Sequence, residues 1–297
     1  MTRVELEPGK YVVAVSGGVD SVALLDMLRQ LPEVKLTVAH FDHGIRGDSY
    51  LDRQLVQELA RKHGLPFVYA EGHLGAGASE AVAREGRYKF LRQVQQAAGA
   101  QAIITAHHQD DLIETAILNM LRGTGRKGVT SLKDHYHLRR PMLHLPKEQI
   151  RQYASEQGLT WREDSTNSDM TILRNYVRGT IVPRLGQKGR EELLSHIGHM
   201  SVVNRAMDHD LMLYLHQQPS RQSLDRHSFT QLPHDLSLEV MAEWLRSHEV
   251  RTFSAKQLEQ LVARCKTLEP GKQIDVDAGH RLLMGNETIV LVNTIVV

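Results

Sequence analysis

The chain has 297 residues, 41% hydrophobic and 24% charged, with a formal net charge of +1, which suits an ordinary two-domain globular protein and excludes a uniformly cationic one. Its single cysteine, Cys265, rules out an internal disulfide and a cysteine-based zinc site. The opening MTRVELEPGK carries no signal-peptide pattern and no apolar run approaches membrane-spanning length, so no membrane is expected and the cytoplasm is the natural compartment.

Tyr11 to Val15 is a run of aromatic and β-branched residues that breaks into Ser16-Gly17-Gly18-Val19-Asp20-Ser21. Val22, Leu24, Leu25 and Leu28 then recur at helical spacing. This is strand, tight glycine turn, helix. Such a turn aims backbone N–H groups at one point beside the positive end of a helix and makes a seat for phosphate. Gly17 and Gly18 let the backbone approach an anion, and Ser16 and Ser21 add hydroxyls. Asp20 repels phosphate and makes sense with Mg²⁺ between the two. No GKS or GKT follows, so this is not a Walker loop. A plain turn with a helix cap is the simpler alternative, but it accounts for fewer of the six residues.

Lys35–Phe41 reads as a second strand ending in HFDHGIR, His40 to Arg46. Tyr50–His63 is helical and stops at Gly64 and Pro66. Phe67–Ala70 is a third strand, Gly72–Gly77 a loop, and Ser79–Ala98 a helix with Ala81, Val82, Tyr88, Leu91 and Val94 inward. Gln101–Ala106 is a fourth strand, and Asp110–Arg122 a helix closed by Gly123. Strands alternating with helices imply a parallel sheet with right-handed crossovers and ligands at the carboxyl ends of the strands. The clusters Ser16–Ser21, His40–Arg46, the loop before Ser79, and His107–Glu114 all fall at that edge.

In that last cluster Asp111 and Glu114 lie three apart on one helical face, with His107 just before them. One histidine and two carboxylates can bind Mg²⁺ or move protons. Asp110 reads as an acid serving the helix dipole. Between Arg122 and Arg151 stand eight Lys or Arg against two acids, and from Ile172 to Arg190 five against none. Two basic stretches beside a nucleotide site suggest a polyanion such as RNA as second substrate. The glycine-rich Arg122–Gly128 is expected to be a mobile cationic loop.

Pro146–Gln157 is a short helix. Arg190–Gln217 is a long one, with Leu193, Leu194, Ile197, Met200, Val203, Met207, Leu211 and Leu215 on one stripe. Gln217–Ser223 reads as a linker. Beyond it come helices at Leu236–His248 and Ser254–Lys266, the second with Ser254 and Gln257 in capping-box spacing. Three strands follow, Gln273–Asp277, His280–Met284 and Thr288–Val292. This tail shows no catalytic set and reads as a binding or packing module.

The motifs SGGVDS, HFDHGIR, AREGRYKFL, AHHQDDLIET, LRGTGRKG, RRPML, EDSTNSDMTILRNYVR and IVPRL, in this order over roughly the first 190 residues, resemble the tRNA(Ile)-lysidine synthetases of the PP-loop superfamily. The resemblance implies an α/β fold. Its core would be a doubly wound parallel five-stranded sheet, Rossmann-like and similar to the adenine nucleotide α-hydrolases, followed by a smaller α+β C-terminal domain. It implies a catalytic domain at 1–188, a long helix and linker at 189–222, and a tRNA-binding domain at 223–297. It also implies ATP-dependent adenylation of the C2 oxygen of the wobble cytidine in tRNA(Ile) with a CAU anticodon. The amine of free L-lysine then attacks, releasing AMP.

Under that resemblance Ser16, Gly17, Gly18, Val19, Asp20, Ser21 and His40 hold ATP, with Asp20 on Mg²⁺. His107 contacts the α-phosphate region, and Asp111 and Glu114 hold the lysine ammonium or the metal. Arg84, Arg87, Arg122, Arg126, Lys127, Arg174 and Arg178 meet the tRNA. A homodimer is left open. Larger members of the family have two tail domains where one is visible here. Sulfur-inserting and glutamine-dependent relatives need cysteines; with Cys265 alone and Thr2 after Met1, a ready amine is the expected nucleophile. The alternatives are another adenylating PP-loop ligase and an inactive RNA- or nucleotide-binding homologue.

Overall fold

The computed structural model describes residues 3–44, 47–75, 79–163, 173–250 and 253–294. Ile45, Arg46, the end of the loop before Ser79 and most of the EDSTNSDMTILRNYVR motif lie outside these. The chain divides into two compact units, residues 1–200 and 201–297.

In the first unit β1 (Gly9–Ala14), α1 (Val19–Leu28), β2 (Val34–Asp42), α2 (Ser49–Lys62), β3 (Phe67–Glu71), α3 (Glu80–Ala97), β4 (Ala102–Ile104) and α4 (Gln109–Leu121) follow one another. Next come α5 (Arg126–Val129), β5 (Leu138–Arg139) and α6 (Lys147–Glu156). α7 (Leu173–Tyr176) then runs through a π turn (Val177–Ile181) into α8 (Val182–Arg184), and α9 spans Gly186–His216.

The five strands pair in parallel in the order β3-β2-β1-β4-β5. Strand alternation sends Tyr11, Val13, Val38 and Ile104 to one face, where α1, α2 and α6 pack through Leu24, Leu28, Val56 and Ile150. Val12, Ala39 and Ile103 face the other way, onto Phe90, Leu91 and Val94 of α3. With helices on both faces the sheet is doubly wound, as expected. Strand order reverses between β1 and β4, and a ligand crevice belongs there.

The first four strands and their helices stand close to where the apolar periodicity puts them. α3 is phased differently at its start. Ala81 and Val82 are exposed, and Ala83, Phe90, Leu91 and Val94 are buried. Gly86 of α3 already sits beside Phe41, next to last in β2, so the turn before it runs past the strand ends. A Cβ on Gly72 would come within 2.9 Å of the Phe41 ring, so this ring needs that glycine, while one on Gly86 would only touch it, at 3.4 Å. The Arg122–Gly128 stretch is a folded turn leading into α5. Asn119 of α4 donates to the Gly128 carbonyl at 2.8 Å and to Ser131 Oγ at 3.0 Å, and any Cβ on Gly128 would strike Thr124. The expected mobile loop is therefore a pinned one. Along α9 only Ile197 and Leu211 of the expected stripe are fully buried; the other six are half-buried.

The second unit adds β6 (Ser223–Asp225), α10 (Arg226–Gln231), α11 (His234–Ser247), α12 (Ala255–Thr267), β7 (Gln273–Asp275), β8 (His280–Met284) and β9 (Thr288–Asn293). Its antiparallel sheet has the order β6-β9-β8-β7 and closes over Phe229, Trp244, Val262, Leu282 and Ile289. The capping box forms as spaced: Gln257 N–H donates to Ser254 Oγ at 3.2 Å, and Ser254 N–H to Gln257 Oε1 at 2.8 Å. The short β6 and α10 carry too little periodicity to be read from sequence. No helix among the described residues is long and apolar enough to cross a membrane.

Candidate active site

The turn after β1 is knotted around the hydroxyl of Ser21. That oxygen accepts from Ser16 N–H at 3.1 Å and Gly17 N–H at 3.3 Å, and donates to Gly18 O at 2.9 Å. Gly17 has φ +97° and a Cβ there would press on Asp52 Cβ at 3.3 Å, so both backbone and packing demand glycine. Gly18 caps α1 without a side-chain bond. In the first α1 turn Ser21 N–H donates to the Gly18 carbonyl at 3.1 Å, while the N–H groups of Val19 and Asp20 stand at the positive end of the helix. Val19 differs from the rest of the loop, since its side chain is buried in the core and only its backbone serves the turn.

The turn forms one end of a cleft of about 320 Å³ at the carboxyl ends of β1, β2 and β4. Ser16, Gly18, Asp20, Ser21, His40, Asp42, Arg87 and His107 line it, with Val15, Ala39, Phe41 and Leu91 as its apolar wall. His40 is buried, and its Nδ1 lies 2.8 Å from the Val15 carbonyl, which fixes the proton on Nδ1. Burial holds this imidazole below its usual pKa, over the opposing pull of the Val15 carbonyl and Asp42. His107 Nδ1 meets Thr105 Oγ1 at 2.8 Å. Burial, with Arg140, Arg87 and Arg84 nearby, pushes His107 down to about 3 against the pull of Asp111, so it is neutral at physiological pH.

Asp20 is the second residue of α1. Burial raises its carboxyl, but hydrogen bonds and charge from His108 and Lys147 outweigh burial and hold it below the usual range. Its Oδ2 lies 3.6 Å from His108 Nε2 and 3.4 Å from Lys147 Nζ. Its Oδ1 is buried with no hydrogen-bond partner among the described residues. His108 is itself buried, and the same Nε2 lies 3.5 Å from Asp111 Oδ2. One imidazole thus joins the β1 turn to the acidic face of α4.

Asp111 also accepts from His108 N–H at 3.0 Å and lies 3.7 Å from Arg178. Glu114, 2% exposed, is held by Arg178 through both oxygens, at 2.7 and 2.9 Å. These hydrogen bonds raise the Arg178 pKa above its ordinary value despite burial. The π turn carries Arg178 to α4. Asp110 ties α4 to its neighbours: it accepts from Lys147 N–H at 2.8 Å and pairs with Arg190.

The expected RNA-facing cations separate into groups. Arg84 and Arg87 flank the Tyr88 ring at 4.8 and 5.5 Å, and Arg87 reaches the cleft wall. Arg178 belongs to the acid pair. Arg122, Arg126 and Lys127 follow the far end of α4, about 18 Å of helix from its start. Arg174 lies in α7, half-buried.

Three contributors escaped sequence reasoning. His108 stood unassigned inside the HHQDD motif, Lys147 was one of eight basic residues in its stretch, and Arg162 carried no signal at all. Arg162 N–H donates to the Gly17 carbonyl at 3.0 Å, while its guanidinium holds Asp52 at 2.7 Å and Asp48 at 2.8 Å. It braces the turn against α2.

Residues 2–185 match the family model of the PP-loop domain. The chain is 31% identical over 274 residues to the tRNA(Ile)-lysidine synthase of Solibacter usitatus, covering 91% of this chain and 59% of that protein. It is 41% identical over 184 residues to that of Thermus thermophilus, covering 60% of this chain and 36% of the relative. The chain spans between about a third and three fifths of the length of these curated relatives. Among solved structures it resembles the U34-tRNA thiolase NcsA from Methanococcus maripaludis, with a TM-score of 0.54 and 14% identity, over 67% of this chain and 73% of that one. That likeness concerns the fold. On the family match over residues 2–185, the chain belongs to the PP-loop family.

Proposed function

We propose that this chain is an ATP-dependent ligase that forms lysidine at the wobble cytidine of tRNA(Ile) with a CAU anticodon. The observation that carries this reading is the meeting of Asp20 and Asp111 on His108 Nε2, at 3.6 and 3.5 Å. It puts a phosphate-binding turn and an acid pair side by side, as a reaction that uses ATP and then an amine requires. The similarity to tRNA(Ile)-lysidine synthases over 274 residues supports the choice of substrates.

ATP takes the cleft, with its base and ribose against Val15, Ala39, Phe41 and Leu91 and its β- and γ-phosphates over the Ser16–Ser21 turn. The unpartnered Oδ1 of Asp20 would hold a Mg²⁺ at the phosphate end of the cleft. Such an ion would neutralise phosphate charge.

The cytidine O2 attacks the α-phosphorus and the α–β P–O bond breaks, so pyrophosphate leaves. Neutral His107 donates a hydrogen bond in that region without adding a fixed charge. The lysine amine, having shed its ammonium proton, then bonds to C2; the C2–O2 bond breaks and AMP departs with that oxygen. Asp111, with 18% of its side chain exposed, is the carboxylate open to an ammonium, and Glu114 holds Arg178 in place beside it. Arg84, Arg87 and Arg174 offer cations to the anticodon loop, whose bases unstack readily. The domain at 223–297 serves as a tRNA-binding module. Transfer of an amine suits a chain whose one thiol, Cys265, is buried and pushed up to about 12.

The test is ATP- and Mg²⁺-dependent incorporation of radiolabelled lysine into unmodified tRNA(Ile) with a CAU anticodon, with methionine tRNA as control. Label in the first alone is expected. Pyrophosphate release with no lysine incorporated would point instead to another adenylating ligase.

A further inference from the structure

The turn after β1 lacks the lysine that Walker loops carry, and offers its phosphates only N–H groups, hydroxyls and a carboxylate that repels them. The fold brings a cation there from 127 residues away in sequence. Lys147 Nζ stands 3.4 Å from Asp20 Oδ2, at the open end of α1.

Lys147 is the first residue of α6, a position where the helix dipole disfavours positive charge. It is held there rigidly. Its backbone N–H is bound by Asp110 at 2.8 Å, and Ile150 and Ala154 anchor α6 in the core. Tyr153 OH donates to Asp26 of α1 at 2.7 Å, which ties α6 to α1. About a third of the Lys147 side chain remains exposed, so its ammonium keeps donors for a further partner.

We infer that Lys147 binds the pyrophosphate portion of ATP and the leaving pyrophosphate, supplying the cation that the turn itself lacks. A lysine suits this role because its ammonium is a compact point charge on a flexible stem. It follows charge onto the bridging oxygen as the α–β bond breaks. The inference rests on the reading of the turn as the seat of ATP phosphates.

The experiment is calorimetric titration of the full chain with inorganic pyrophosphate and, separately, with AMP, both without metal. Lys147→Gln is expected to weaken pyrophosphate binding at least tenfold and leave AMP binding unchanged, while Lys147→Arg recovers most of the loss. The Lys147→Gln loss should persist in an Asp20→Asn background, because the contact is with phosphate. Pyrophosphate binding unchanged by Lys147→Gln would overturn the inference. So would a loss that vanishes with Asp20→Asn, which would make Lys147 a counter-ion of Asp20 alone. Wild-type protein that binds AMP but no pyrophosphate would overturn the phosphate-seat reading together with the inference. Circular dichroism confirms that each variant is folded.

Discussion

The guanidinium of Arg178 grips Glu114 through both carboxylate oxygens, and the two residues are unequally buried: about 3% of the Glu114 side chain is exposed against 33% of Arg178. A buried pair costs desolvation to assemble, but losing one partner strands the other. Arg178→Met leaves a carboxylate charge in the interior and should destabilise the fold by about 2–4 kcal/mol, below the fully buried limit because Arg178 is partly solvated. Glu114→Gln leaves the more exposed partner, which still has Asp111 at 3.7 Å, and should cost less. Urea unfolding checks the order; equal losses would mean the pair is not a buried one.

His107 gives a pH signature. Its folded pKa is about 3, against 6.5 for an unperturbed imidazole. Between those values the unfolded chain binds the proton and the folded chain does not. Its contribution is therefore fully present above about 6.5 and is lost as pH falls toward 3. His107→Gln should lose less stability than wild type between pH 7 and pH 5. Thermal unfolding at the two pH values reads the difference, and identical losses would refute the assignment.

Asp20→Ala should abolish ATP-dependent pyrophosphate release, a fall of more than a hundredfold, and leave the fold intact, since this carboxylate stands at the cleft and not in the apolar core. Near-wild-type release would end the assignment of the turn.

Gly17→Ala forces a side chain onto φ +97° and against Asp52. Strain of roughly 1–3 kcal/mol is expected. Arg162→Ala removes the side-chain brace at Asp48 and Asp52 but keeps the backbone bond to Gly17. Its unfolding free energy should fall by less than that of Gly17→Ala, while its ATP affinity drops severalfold. Calorimetry with ATP and denaturant titration separate the two effects.

Some of this was legible locally. The run of aromatic and β-branched residues from Tyr11 to Val15, the glycines after it and the 3.6-residue spacing beyond are properties of adjacent residues, and the β1 turn stands where they put it. The capping box at Ser254 and Gln257 forms for the same reason. Where local pattern is weak the reading slipped: Ala81 and Val82 fit an apolar stripe, but α3 begins beyond the strand ends and leaves them in water. The two-residue β5 and three-residue β6 are too short to carry a period.

The sequence by itself determined the alternating α/β order, the glycine turn after β1 and the edge of the sheet where the polar clusters gather, because hydrophobic periodicity and glycine conformational freedom act over a few neighbouring residues. Only the tertiary structure decided which charges meet. Lys147 reaches Asp20, Arg162 reaches Asp52 across 110 residues, and Arg178 takes Glu114 across 64. Ion pairing depends on distance in space, and crossovers between parallel strands bring together residues whose spacing along the chain carries no sign of it.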